Sequence, residues 1–210
     1  MSLPYLYKTP AWLRWIYPQR IWRLPATGNE VYLSFDDGPH PVVTPWVLDI
    51  LKQYDAKASF FCIGKNVEQY PEIYKRILDE GHSSGNHTHT HKNGWHTPLD
   101  TYIEDVKKSA CVISSRLFRP PYGRLRSAQA KAVKQVLGAD TKIIMWDLLS
   151  GDFDPSVNIS KSVEQLNKHT KPGSILVFHD SEKAFPQMQQ ILPAVMKNIK
   201  LKGWGFGRIN

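Results

Sequence analysis

From residue 30 onward, short apolar runs alternate with segments whose apolar residues recur at helical spacing. Val31 to Phe35 reads as a strand, and Thr44 followed by Pro45 reads as the cap and first turn of a helix. Ala58 to Cys62 reads as the next strand, and a helix starting near Pro71 stops at Gly81. Leu99, Ile103, Val106, Ala110 and Ile113 mark one face of a helix opened by Thr97-Pro98. Ser127 caps a helix that ends at Gly138, Thr141 to Trp146 forms a strand, and Ser160 to His169 a helix. Ser174 to Phe178 is a strongly apolar strand. The last helix lies between about Ala184 and Lys200, and Trp204 to Ile209 adds a short final strand. This rhythm predicts a single α/β domain with a largely parallel sheet.

The first 27 residues break the rhythm. Trp12, Trp15 and Trp22 are interleaved with Arg14, Arg20 and Arg23, a mixture that suits an interfacial membrane anchor. Pro4, Pro10, Pro18 and Pro25 interrupt the segment and argue against a long amphipathic helix. The reading favoured is therefore residues 1–27 as an aromatic and basic strap packing onto a main domain at 28–210.

Hydrophobic residues at 41% and charged residues at 22% are ordinary for a chain of 210 residues that buries one core. The net charge of +8 favours polyanionic partners, among them acidic glycans. No dense Lys/Arg block and no nucleic-acid motif accompanies it, so nucleic acid is not the expected partner. Cys62 and Cys111 are too few for a disulfide framework and read as buried thiols. No stretch approaches the ~20 apolar residues of a membrane span, and no secretory signal is visible, so the chain as written reads as cytoplasmic.

Chemistry-bearing residues fall just after predicted strands: Asp36-Asp37 after Phe35, Asp147 after Trp146, and His179-Asp180 after Phe178. Active sites of parallel α/β folds form at those carboxyl ends. His87 and His91, four apart, would share one side of a helical turn and suit zinc, with His89 projecting elsewhere as a solvent-facing or supporting residue. A carboxylate from Asp36-Asp37 would complete a two-histidine, one-carboxylate metal site with positions open to water.

These clusters, in this order, resemble the polysaccharide deacetylases of carbohydrate esterase family 4, the NodB homology family. The matching segments are Ser34-Phe35-Asp36-Asp37-Gly38-Pro39, His87-Thr88-His89-Thr90-His91, Arg119-Pro120-Pro121-Tyr122-Gly123, Trp146 to Phe153, and Val177-Phe178-His179. The resemblance implies a distorted (β/α) barrel of about seven strands, related to the TIM barrel, and a divalent metal, most often zinc, with cobalt or nickel also suiting the site. It implies Asp37, His87 and His91 as ligands, Asp36 as general base, His179 as general acid, and Arg119 as the partner of Asp36. It further implies the Tyr122 N–H as an oxyanion donor, with Phe153 and Val177 walling the acetyl methyl.

The fourth segment departs from the family pattern. Aligning Asp152-Phe153 with the family's Asp-Trp puts Leu149 where a carboxylate orients the catalytic histidine. Asp147, of the same strand parity as Leu149, could substitute, and Asp152 is the second candidate. Asp180 is expected to point away from His179. The expected function is N-deacetylation of an amino-sugar polymer or oligosaccharide of chito-oligosaccharide or peptidoglycan type. The alternatives are hydrolysis of a non-sugar amide or other C–N bond, and glycan binding without catalysis.

Overall fold

The computed structural model describes residues 6–210; the reading of Pro4 lies outside them. Eight strands form one sheet in which every strand pairing is parallel. In chain order these are β1 (Glu30–Asp36), β2 (Ser59–Cys62), β3 (Ser83–Asn86), β4 (Leu117–Phe118), β5 (Lys142–Ile143), β6 (Leu148–Leu149), β7 (Ile175–His179) and β8 (Gly205–Gly207). Seven follow the order β5-β4-β3-β2-β1-β7-β6, and β8 pairs with the start of β1. The result is a half-barrel of α/β type, with β1 between β2 and β7.

The helices are α1 (Ala11–Ile16), α2 (Val43–Gln53), α3 (Gly64–Gln69), α4 (Pro71–Asp79), α5 (Leu99–Ala110), α6 (Ser127–Leu137), α7 (Ile159–His169) and α8 (Phe185–Leu201). The main core lies where α2, α4, α7 and α8 cover β1, β2 and β7, with Phe35 stacked between Phe60 and Phe178. A second cluster joins α5 and α6 to β4, β5 and Trp22.

The sequence reading differs from the structure in instructive places. The strand expected over Thr141–Trp146 shrinks to Lys142–Ile143 plus a bridge at Ile144, and β3, β4 and β6 were not expected as strands. Ser83–Asn86 is almost without apolar side chains, so a hydrophobicity pattern could not mark it. Thr44 lies inside α2 rather than capping it, because its hydroxyl is bonded to Asp180. Ser127 is the first residue of α6, whose cap is Arg126. Cys62 is buried, but Cys111 is exposed, since it falls just past the end of α5.

Residues 6–24 run along the two open edges of the half-barrel. Lys8 bridges Leu148 of β6, and Ile21 bridges Ile144 beside β5. Backbone bonds from Thr9 to Asp147, Leu149 to Tyr7 and Met145 to Ile21 occupy edge groups that would otherwise offer a template for aggregation. Tyr7, Arg20 and Trp22 are buried in this contact, whereas Trp12 and Trp15 stay exposed on α1. Packing of the aromatics is thus divided: one tryptophan of the three enters the core. Among the described residues, no helix is long and apolar enough to cross a membrane.

Candidate active site

Parallel register sets the first pair of polar groups. Asp36 ends β1 directly beside His179 at the end of β7. One residue on, Asp37 leaves the strand at φ 82°, so its carboxylate diverges from that of Asp36. Asp36 is buried against the fully buried Arg119, whose Nη1 donates to Asp36 Oδ1 at 2.6 Å. Arg119 also donates to Ser34 Oγ and to the Ile144 and Met145 carbonyls, and lies over the Phe61 ring. A guanidinium so fixed pairs with the neighbouring carboxylate and orients it.

His87 and His91 converge with Asp37. Their Nε2 atoms lie 3.8 and 3.2 Å from Asp37 Oδ1, and the three ligand atoms lie within 4.8 Å of one another. The helical turn expected to align them is absent. The segment is a loop with Thr88 at φ 64° and His91 at φ 57°. The Asp105 carboxylate of α5 holds that loop, accepting from the N–H groups of His89 and Thr90 and from the Thr90 hydroxyl. His89 is buried rather than solvent-facing, with Nε2 3.6 Å from Glu68.

The donor set fits a divalent metal. His87 Nδ1 lies 2.7 Å from the Arg119 carbonyl, and donation there leaves Nε2 as the free lone pair. Burial drives the His87 pKa down to about 4, which keeps the ring in its ligating form. Asp37 Oδ1 is buried and receives no hydrogen bond. A tetrahedral zinc with ligands at its usual distances would space their donor atoms by roughly 3.3 Å, close to the separations seen.

On the far side of the cleft His179 is supported by Asp152, the second of the two carboxylates considered. Asp152 Oδ1 lies 2.8 Å from His179 Nδ1, and Oδ2 accepts the His179 N–H at 2.8 Å. Gly151, at φ 80°, turns the chain after β6 so that Asp152 returns toward β7. Asp147 does not reach His179: it pairs with Arg14 and Arg23 and accepts from Ser174 Oγ at 2.8 Å. Strand parity misled here because β6 covers only Leu148–Leu149. Burial disfavours the His179 cation, but the charge and hydrogen bond of Asp152, with Asp37 and Asp36, push its pKa up to about 9.

Asp180 points away from His179, accepting from Gly38 N–H and the Thr44 hydroxyl and so clamping the turn after Asp37. Burial raises its pKa to about 7. Gly38 admits this clamp because a Cβ there would fall 2.0 Å from Asp180 Oδ2.

Asp36, Asp37, His87, His91 and His179 line one cleft of about 440 Å³. Tyr122, Phe153 and Val177 are in its walls, together with Leu149 and Trp146. Phe153 meets His179 edge-on with centroids 5.1 Å apart, and the Tyr122 ring lies 4.6 Å from that of His91. Tyr122 sits at φ 59° between prolines and glycine, where the next two N–H groups bind the Pro120 and Pro121 carbonyls. Of five non-glycine residues with positive φ among those described, Asp37, His91 and Tyr122 line this cleft and Thr88 lies in the loop between its two histidines. Backbone strain of that kind persists where the surroundings enforce it, commonly at functional sites.

The polysaccharide deacetylase family model matches residues 23–141, and a peptidoglycan-N-acetylglucosamine deacetylase of Bacillus cereus is 35% identical over 190 residues, covering 88% of each chain. The chain belongs to the polysaccharide deacetylase family. A chitooligosaccharide deacetylase of Azorhizobium caulinodans is 31% identical over 165 residues, 75% of this chain and 77% of that one. Among solved structures, the Bc1960 peptidoglycan N-acetylglucosamine deacetylase superposes with a TM-score of 0.84 at 30% identity, over 96% of this chain and 95% of that chain. The barrel of about seven strands is therefore the family fold. Deacetylation of an N-acetyl group is hydrolysis of a carbon–nitrogen bond other than a peptide bond, and that is the enzyme class in which the family places the chain.

Asp105, Arg124 and Lys183 belong to the site or its frame, and sequence reading singled out none of them. Asp105 carried a signal: with Tyr102, Val106 and Ser109 it is a polar residue on the buried face of α5.

Proposed function

We propose that the protein removes the acetyl group from N-acetylated amino-sugar residues of a glycan, of chito-oligosaccharide or peptidoglycan type. The observation that carries this is that one possible metal-ligand set shares a single cleft with an arginine-paired aspartate and a carboxylate-supported histidine. The B. cereus and A. caulinodans relatives, named for peptidoglycan and chito-oligosaccharide, support the substrate class.

An acetamide resists hydrolysis because its carbonyl is resonance-stabilised and its amine leaves poorly. Asp37, His87 and His91 would hold the metal, zinc by the chemistry of two imidazoles and a carboxylate, which polarises the carbonyl and acidifies the attacking water. Asp36, paired with and oriented by Arg119, takes a proton from the attacking water. The Tyr122 N–H donates to the oxyanion that develops on the carbonyl oxygen. His179, charged and oriented by Asp152, protonates the departing amine so that the C–N bond breaks. Phe153 and Val177 form an apolar seat for the acetyl methyl.

The test is acetate release by zinc-reconstituted protein from N-acetylated chito-oligosaccharides and peptidoglycan fragments, with Asp36→Asn as control. Release by the wild type alone is the expected outcome. No release from a protein that retains its metal would overturn the deacetylase reading and leave hydrolysis of a non-sugar amide or glycan binding without catalysis.

A further inference from the structure

The acidic and imidazole groups on the floor of the cleft are engaged with one another, but two cations at its rim are not. Arg124 and Lys183 both line the cleft, and neither forms an ion pair with a carboxylate among the described residues. Lys183 does lie within electrostatic range of exposed Asp154, whose carboxylate is taken up by Ser156 N–H and hydroxyl.

Arg124 is set in place. Its guanidinium lies over the half-exposed Trp95 ring, 5.1 Å from the centroid. The segments carrying the two residues are laced together. Arg126 donates to the Trp95 carbonyl, Gln129 Nε2 donates to the Gly94 carbonyl at 2.8 Å, and a Cβ on Gly94 would fall 2.4 Å from the Arg124 carbonyl. An arginine fixed by stacking keeps its donors free and loses little entropy on binding, and its planar fork matches a carboxylate.

We infer that Arg124 and Lys183 form an anion-recognition rim that selects N-acetylated glycans carrying a carboxylate on a sugar next to the one deacetylated. This rests on the deacetylase reading and narrows its substrate from amino-sugar glycans in general to acidic ones. The formal charge of +8 works in the same direction by drawing a polyanionic strand to the protein. A neutral oligosaccharide would occupy the same cleft without using either cation.

The experiment compares kcat/KM for two forms of one substrate: an oligomer alternating N-acetylglucosamine with its 3-O-lactyl ether, and the same oligomer with every lactyl carboxylate converted to the amide. Shape is then held constant and only charge changes. The wild type is expected to prefer the acid by roughly three- to tenfold at low ionic strength, mainly through KM, with the preference shrinking as salt rises. Arg124→Gln and Lys183→Gln should each lower the ratio, the double variant should bring it near one, and Arg124→Lys should restore part of it. A wild-type ratio near one, or one unchanged in the double variant, overturns the inference while acetate release still supports the deacetylase reading. Absence of release from both forms overturns that reading and the inference with it.

Discussion

Asp152 engages His179 twice, its Oδ1 2.8 Å from the imidazole Nδ1 and its Oδ2 accepting the backbone N–H at 2.8 Å. One buried carboxylate therefore fixes both the position of the strand end and the orientation of the ring. It does so three residues beyond Leu149, where the family pattern places the carboxylate, and not at Asp147, where strand parity would have sought it.

This pairing predicts a pH effect. Asp152 is the main group holding the His179 pKa at about 9, so His179 is an acid across neutral pH and activity falls as pH rises through its folded value. In Asp152→Asn the basic limb of kcat/KM should move down by at least one unit, with the rate near neutrality reduced on the order of 10²-fold. An unmoved limb in pH–rate profiles of the two proteins, on the same metal, would remove His179 from the acid role.

Asp147 is predicted to act on stability instead. Asp147→Asn weakens its ties to Arg14, Arg23 and Ser174, which hold the strap to the barrel. It should cost about 1–3 kcal/mol in urea unfolding while leaving the basic limb in place. A shifted limb would mean that Asp147, not only Asp152, reaches the histidine.

The two adjacent aspartates should separate cleanly. Asp36→Asn is expected to bind zinc as the wild type does and lose 10²–10⁴-fold in rate. Asp37→Asn should lose zinc itself. Metal content by elemental analysis, read beside acetate release, distinguishes them, and metal loss in the Asp36 variant would exchange their roles.

Arg119→Met leaves the buried Asp36 carboxylate without its cation. The variant should unfold about 3–5 kcal/mol more easily than the wild type, both measured after chelation so that metal does not contribute. A loss under 1 kcal/mol would show that Asp36 is solvated and does not depend on Arg119.

Acid should destabilise the metal-free fold through His82. Burial, with Lys57 adding, pulls its pKa down to about 4, and its Nδ1 accepts the Ala58 N–H. The unfolded chain then binds the extra proton between the ordinary histidine value of ~6.5 and 4, so the contribution is complete above 6.5 and lost as pH falls through this window. Urea unfolding should lose on the order of 2 kcal/mol through His82 there, and His82→Gln, which retains an acceptor, should reduce the slope to the part that buried His87 contributes. An equal slope in that variant would place the titration elsewhere.

Helices α2 and α4 to α8 and the long strands β1, β2 and β7 were legible because apolar spacing is a local property that burial of one face imposes on each segment. So were the candidate ligands and acid–base groups, whose types and order match a family pattern. Ser83–Asn86 was not legible, because it becomes a strand only by being flanked by β2 and β4. Nor was the loop that brings His91 to Asp37, since its left-handed residues are held by Asp105 from a helix about fifteen residues away in sequence.

The α/β rhythm, the strand-end location of the chemistry and the types of group that could perform it are all written in the linear order of residues. Tertiary structure alone decided which carboxylate faces His179, how the strap lies along the open edges of the half-barrel, and that Arg124 and Lys183 share a cleft with the candidate metal ligands. The physical reason is that side-chain partnership depends on where separate strand ends and turns meet in space. A composition or a period along the chain holds no record of those distances.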